Sequence, residues 1–178
     1  VYRLTTVSSA RCIVGIQAPS AGSIRIGGHD IVTDAIAAKR LLAFMPDETQ
    51  LFEYLTVAEH LNLVARLYGV ADFARRVPAL LAELELSGKE RSLPAELSRD
   101  MKQKLVIACG LLHDPGVLLF DEPLTGLDPI GIRRMKQTIV ARARAGAAVV
   151  VSSHLLHLLE EICTRILSIN KGTKIADG

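Results

Sequence analysis

Val117-Leu118-Leu119-Phe120-Asp121-Glu122-Pro123, continued by Leu124-Thr125-Gly126-Leu127-Asp128-Pro129, is the stretch that decides the fold. Four consecutive apolar residues fit a strand buried on both faces of a parallel sheet. Two adjacent carboxylates follow where such a strand emerges at its C-terminal edge, the edge at which open α/β sheets hold their ligands. An acidic pair there suits a metal-bound phosphate: one carboxylate holds Mg²⁺, directly or through water, and the next polarises an attacking water. The same residues also fit a strand that ends in a plain solvated turn. The sequence on either side has to decide.

Downstream, Pro129 to about Ala143 reads as a helix, and Ala147 to Val151 as a second apolar strand, ended by Ser152-Ser153-His154. Leu155 to Ile162 is expected to be helical, with Ile166–Ile169 and Lys174–Ala176 as late strands. Upstream, Leu97-Ser98-Arg99-Asp100-Met101 opens a helix in which Ser98 is the N-cap and Met101, Leu105, Ala108 and Leu112 form the buried stripe. Lys102, Gln103 and Lys104 are expected to face outward.

Before that lies a purely helical region. Thr56 with Glu59 three residues on is a capping box, in which each side chain satisfies a free backbone N–H. Val57, Leu61, Val64 and Tyr68 then mark one helical face, ended near Gly69. Asp72 is the candidate cap of the next helix, with Phe73, Val77, Leu80 and Leu84 as its apolar face. Nearer the start, Ser23-Ile24-Arg25-Ile26 alternates as a short strand, Thr33 to Arg40 fits a short helix, and Leu41 to Met45 a buried strand stopped by Pro46. Residues 1 to 14 carry no clear pattern. Strands alternating with helices indicate a largely parallel sheet covered on both faces.

Composition narrows the function classes. A chain of 178 residues suffices for one domain, or one domain with a lobe. A net charge of +2 with scattered basic residues gives no nucleic-acid footprint. Cys12, Cys109 and Cys163 are far apart among apolar neighbours and read as buried thiols of a reducing compartment. No run reaches the roughly 20 apolar residues that span a bilayer, and Val1 to Val14, with Arg3 and Arg11, is unlike a signal peptide. The chain begins without Met, and its true start is expected to be missing.

A series of motifs, in order, resembles those of the ATP-binding subunit of an ABC transporter. Phe44-Met45-Pro46-Asp47 is similar to that family's Q-loop and Leu97–Met101 to its signature motif. Val117–Pro123 is similar to Walker B, Leu124–Asp128 to the D-loop, and Ser152-Ser153-His154 to the switch-histidine motif. The resemblance runs from about Gly15 to the C-terminus. It implies a single ABC ATPase domain over residues 1–178. The fold would be a P-loop-NTPase-like, mostly parallel α/β sheet with helices on both faces and a helical lobe at about 50–113. It implies ATP and Mg²⁺ as ligands, with Asp121 and Asp47 supporting the metal, Glu122 as general base and His154 hydrogen-bonding a γ-phosphate. Ser98 and Asp128 would reach nucleotide across a homo- or heterodimer. Asp128 before Pro129 is equally a good N-cap with Pro at the first helical position. Transmembrane subunits of an exporter-like transporter would be the partners, and the location cytoplasmic, peripheral on the inner face of the membrane. His29, His60, His113 and His157 are read as packing or surface residues.

Three departures stand out. No G-x-x-x-x-G-K-[ST] loop, whose N–H groups and Lys hold phosphates, occurs anywhere in the chain. Its expected place, shortly before Gly15, holds Arg3 to Ser9, without Gly or Lys. A truncated or frame-disrupted gene is the expected reason, with the first strands lost too, and the chain alone is expected to be inactive. Second, Arg99-Asp100 replaces the Gly-Gly of the signature. Asp100 in a first turn favours the helix dipole by about 0.3–1 kcal/mol. Near a γ-phosphate the same charge repels, by roughly 4 kcal/mol per charge pair at 4 Å and an effective dielectric of 20. Arg99 would offset part of that, and Asp100→Gly is expected to improve ATP-driven closure. Third, Asp47 stands where Gln is usual; a carboxylate still reaches Mg²⁺ with altered geometry. The competing reading is a degenerate nucleotide- or partner-binding fragment that no longer hydrolyses ATP.

Overall fold

The computed structural model describes residues 2–4, 7–154, 159–170 and 173–177. The chain divides into two compact units, Val1–Asp47 with Pro115–Gly178, and Glu48–Asp114.

The first unit is built on four parallel strands in the order β1 (Tyr2–Leu4), β6 (Ala148–Ser152), β5 (Val117–Asp121), β4 (Leu42–Met45). β5 is interior, paired on both sides, which is why it is nearly continuous in apolar residues. Leu118, Leu119 and Phe120 are at most 1% exposed. One face of the sheet, carrying Val117, Leu119, Phe44 and Val150, is covered by Ala10 and Val14 from the region of α1 (Val7–Ile13). Ala38 of α2 (Ala35–Arg40) joins them, with Ile26 and Ile31. Leu118, Phe120, Val149 and Val151 alternate to the opposite face and are buried as well. There α6 (Pro129–Arg144), with Met135 and Ile139 buried, packs on β6. Complete burial of a side chain such as Phe120 contributes about 1.5–3 kcal/mol.

Two small antiparallel pairs complete this unit. β2 (Arg25–Ile26) pairs with β3 (His29–Asp30) around Gly27-Gly28, and β7 (Leu167–Asn170) pairs with β8 (Thr173–Asp177). The expected strand from Ser23 is shorter at its start, and His29–Asp30 is a strand the alternation pattern did not mark. Tyr2–Leu4 and Val7–Ile13, where no pattern was legible, form an edge strand and a helix. Of the expected helix Leu155–Ile162, residues 155–158, His157 among them, lie outside the described residues. Residues 160–162 form a turn.

The second unit is helical: α3 (Val57–Tyr68), α4 (Phe73–Glu83) and α5 (Arg99–Leu111), with a 3₁₀ turn at Pro94–Glu96. The capping box at the start of α3 is formed as expected. Thr56 Oγ1 accepts from the Glu59 N–H at 3.3 Å, and Glu59 Oε2 accepts from the Thr56 N–H at 2.7 Å. α3 ends at Gly69, whose left-handed φ of 67° lets the following Val70 N–H reach the Ala65 carbonyl at 2.9 Å.

The buried face of α3 differs from expectation: Val57, His60, Leu61 and Ala65 are inside, while Tyr68 is 39% exposed. His60 can be buried because both ring nitrogens are satisfied. Its Nε2 accepts from the Phe52 N–H at 3.0 Å, and its Nδ1 lies 2.9 Å from the Thr56 carbonyl, to which it donates. Tyr68 instead stacks on His113 at 3.8 Å. Asp72 precedes α4 without a side-chain capping bond; its carboxylate binds Arg75 at 3.0 Å. Gln103 and Lys104, expected outside, are not: Gln103 is buried and the Lys104 side chain is only 16% exposed. α5 is covered around much of its circumference, so three-to-four spacing does not isolate one inner face.

Candidate active site at the end of the central strand

The parallel register sets Asp121, the last residue of β5, directly opposite Ser152, the last of β6. Ser152 and Ser153 are buried, and the Ser152 hydroxyl donates to Asp121 Oδ1. Glu122 leaves the strand with φ of 49°, in the left-handed region that residues other than glycine seldom occupy. Its N–H donates to the Ser152 carbonyl at 2.9 Å, and its carbonyl accepts from the Thr125 N–H at 3.1 Å. That turn brings the Glu122 carboxylate to the exit of β6. Glu122 Oε2 accepts from the Ser153 hydroxyl at 3.0 Å and from the Thr125 hydroxyl at 3.2 Å; Oε1 accepts from the His154 N–H at 2.8 Å. The His154 ring closes the cluster, with Nδ1 3.0 Å from Glu122 Oε2.

These contacts restrict the chemistry of each group. A carboxylate offers about four lone-pair sites, and Glu122 has four donors on it. An ionised carboxylate only accepts, so His154 Nδ1 carries the proton in this contact. The neutral ring then presents Nε2 as an acceptor, and only the imidazolium donates from both nitrogens. The His154 side chain is 66% exposed against 22% for Glu122, so the imidazole is the group on this carboxylate best placed to exchange with solvent.

Asp47 lies two residues beyond Met45, which pairs with Phe120, so Asp47 and Glu122 both follow strand ends at the same sheet edge. Asp128 caps α6: its Oδ1 accepts from the Gly131 N–H at 2.6 Å, with Pro129 in the first turn. A Cβ at 131 would stand 3.0 Å from that oxygen, so glycine suits the close approach. Ser98 belongs to the helical unit. It caps α5, accepting from the Met101 N–H at 3.2 Å. In the same helix Asp100 pairs with Lys104 at 2.8 Å, and Lys104 also meets Glu85 at 3.2 Å. Lys104 is thus a cation that offsets Asp100 within this helix. Sequence reading missed the hydroxyls of Ser152, Ser153 and Thr125 as partners of the acidic pair. The signal was available: the apolar runs 117–120 and 148–151 have equal length, and aligning them sets Ser-Ser against Asp-Glu.

The donor set suits one ligand and not the other. Hard carboxylate oxygens fit Mg²⁺, which takes one or two carboxylates and keeps the rest of its shell for water and substrate phosphate. No group of three His, Cys, Asp or Glu able to hold a metal occurs among the described residues, so the fit is to an ion carried with phosphates. A G-x-x-x-x-G-K-[ST] loop for phosphates does not occur in the sequence. β1 ends at Leu4 and α1 begins at Val7, leaving two residues where a phosphate loop of eight would have to stand.

Comparison with known proteins agrees with this architecture. The family model described as ABC transporter matches residues 7–125. The chain is 32% identical over 173 residues to the ABC-type transporter ATP-binding protein EcsA of Bacillus subtilis, covering 96% of this chain and 70% of that one. It is 34% identical over 173 residues to the Nod factor export ATP-binding protein I of Burkholderia pseudomallei, covering 96% of this chain and 57% of that protein. A solved structure described as the ATP binding subunit of an ABC transporter superposes with a TM-score of 0.93 at 32% identity. That superposition covers 99% of this chain and 77% of the other. The parallel sheet, its helices and the ordered motifs are therefore those of a P-loop-NTPase-like fold, and the chain belongs to the ABC transporter family, among its ATP-binding subunits.

Proposed function

We propose that this chain is the hydrolytic part of a subunit that uses ATP to energise an exporter-like ABC transporter. The observation that carries the reading is the convergence of Asp121, Glu122 and His154 at the C-terminal edge of β5 and β6. In it, Asp121 and Asp47 support Mg²⁺, which neutralises phosphate charge when bound. Glu122 takes a proton from the attacking water at Oε1, which among the described residues accepts only from the His154 N–H. His154, as imidazolium, keeps Nδ1 on Glu122 and offers Nε2–H to the γ-phosphate. Phosphoryl transfer asks for positioning and charge neutralisation, and these residue types supply both. Glu48–Asp114 acts as the lobe inserted in one ATPase domain, and Ser98 and Asp128 face nucleotide and partner across a homo- or heterodimer. Transmembrane subunits are the partners, and the location is the cytoplasmic face of the membrane. Export is supported by the name of the Nod factor export relative, and among the described residues no helix is long and apolar enough to cross a membrane.

One observation favours a second reading for the chain by itself. Two residues between β1 and α1 leave no phosphate loop, so this sequence alone is a hydrolysis-incompetent fragment of such a subunit. A single experiment separates the two. A variant in which residues 5–6 are replaced by an eight-residue G-x-x-x-x-G-K-[ST] loop is assayed for phosphate release with and without Glu122→Gln. The proposal expects hydrolysis to appear with the loop and to fall on the order of 10²–10⁴-fold on Glu122→Gln. Hydrolysis that survives Glu122→Gln at full rate refutes the role of Glu122.

A further inference from the structure

At the end of two parallel strands, two successive hydroxyls meet two successive carboxylates, one to one: Ser152 on Asp121 and Ser153 on Glu122. The pairing follows from the register. Asp121 is the direct partner of Ser152, and the backbone ladder continues one step further, from the Glu122 N–H to the Ser152 carbonyl. Both serines are buried, at 5% and 3% exposure, so water competes weakly for their hydroxyls. We infer that Ser152 and Ser153 are positioning residues that give the adjacent carboxylates different orientations and hence different tasks. This rests on the assignment of Asp121 to the metal and of Glu122 to the attacking water.

Lone pairs divide the two carboxylates. Ser152 occupies one oxygen of Asp121, and among the described residues no other side chain bonds that carboxylate, so its second oxygen is left for a cation. Ser153 and Thr125 both donate to Oε2 of Glu122, one from the buried side and one from the half-buried loop. These two hydroxyls, with the His154 ring on the same oxygen, fix the carboxylate plane, and the His154 N–H fixes the other oxygen from the same strand end. Glu122 starts from a left-handed backbone conformation that would otherwise let its side chain sweep outward. Without the hydroxyls, its orientation would be set by His154 alone, through its backbone N–H and its exposed ring.

The test reads each carboxylate separately. Side-chain carboxyl ¹³C resonances of Asp121 and Glu122 are recorded by NMR in the full chain for Ser152→Ala, Ser153→Ala, Ser153→Thr and Thr125→Val. The expected result is selective. Ser152→Ala shifts Asp121 and spares Glu122, Ser153→Ala does the reverse, and Ser153→Thr restores the parent shift. Thr125→Val, nearly isosteric and outside the buried strand, moves Glu122 alone and decides the matter should a buried serine variant fail to fold. In the loop-restored variant, Ser153→Ala is expected to lower kcat by roughly 10²-fold, the scale of a misplaced catalytic group, with KM unchanged. Serine variants that shift both carboxylates equally or neither, or a Thr125→Val that leaves Glu122 unmoved, overturn the inference. Selective shifts in a loop-restored protein that does not hydrolyse ATP overturn the ATPase assignment instead.

Discussion

Replacing Asp100 by glycine tests whether the departure at the signature position is an isolated charge or part of a built cluster. The carboxylate sits in the first turn of α5, 2.8 Å from Lys104, which also meets Glu85 at 3.2 Å. Three contributions disappear with Asp100. Its interaction with the helix dipole is worth about 0.3–1 kcal/mol. The i,i+4 pair with Lys104, at a site where Asp100 is 36% exposed, is worth about 0.3–0.5 kcal/mol. Glycine adds about 0.3 kcal/mol relative to aspartate in helix propensity. The sum is a loss of about 1–2 kcal/mol.

Lys104→Met keeps the aliphatic stem but leaves two carboxylates facing each other around a side chain only 16% exposed, so it should cost more, about 2 kcal/mol or above. Urea unfolding followed by circular dichroism measures both, and the double variant should be less destabilised than the sum by about 0.5 kcal/mol or more. An Asp100→Gly protein as stable as its parent, or a Lys104→Met protein no worse than Asp100→Gly, refutes the cluster. The functional corollary changes accordingly. A carboxylate already paired with Lys104 repels a phosphate less than a bare one, so Asp100→Gly brings less gain in ATP-driven closure than the isolated charge suggested.

Other outcomes follow from local chemistry. Asp128→Ala removes the cap of α6 and should lower stability by about 1 kcal/mol, with Asp128→Asn retaining most of it, as read from thermal melts. Glu59 is held below its ordinary value of 4.5, first by the Thr56 N–H and then by the Thr56 hydroxyl. Its folded value is the depressed one, so its stabilisation is present above about pH 4.5 and is lost as pH falls through the folded value. Glu59→Gln should flatten that part of the stability–pH curve. Burial pushes the Cys109 thiol up to about 12, so at pH 8 Cys109 should resist iodoacetamide in the native protein and react after denaturation, as mass spectrometry will show.

The parts legible in the sequence were those set by local chemistry. The apolar run 117–120 fitted an interior strand, and the caps at Thr56, Ser98 and Asp128 were written in residue type and spacing. The acidic pair and His154 were legible because strand ends expose them together. Tertiary context decided the rest. β1 (Tyr-Arg-Leu) and α1 (Val-Ser-Ser-Ala-Arg-Cys-Ile) carry no decisive periodicity, and their structure comes from pairing with β6 and packing on the sheet. Gln103 and Lys104 look like surface residues until neighbouring elements cover α5, and His60 is inside because Phe52 and Thr56 satisfy its ring. The roles of Ser152 and Ser153 required the register between two distant strands.

The central claim is that the carboxylate half of an ATP site is in place while the phosphate-holding half is not. Isothermal titration of the chain with Mg·ATP, beside the variant carrying an eight-residue phosphate loop in place of residues 5–6, tests it most directly. No measurable binding is expected from the chain as it stands, and saturable binding once the loop is present. Micromolar binding by the unaltered chain would contradict it.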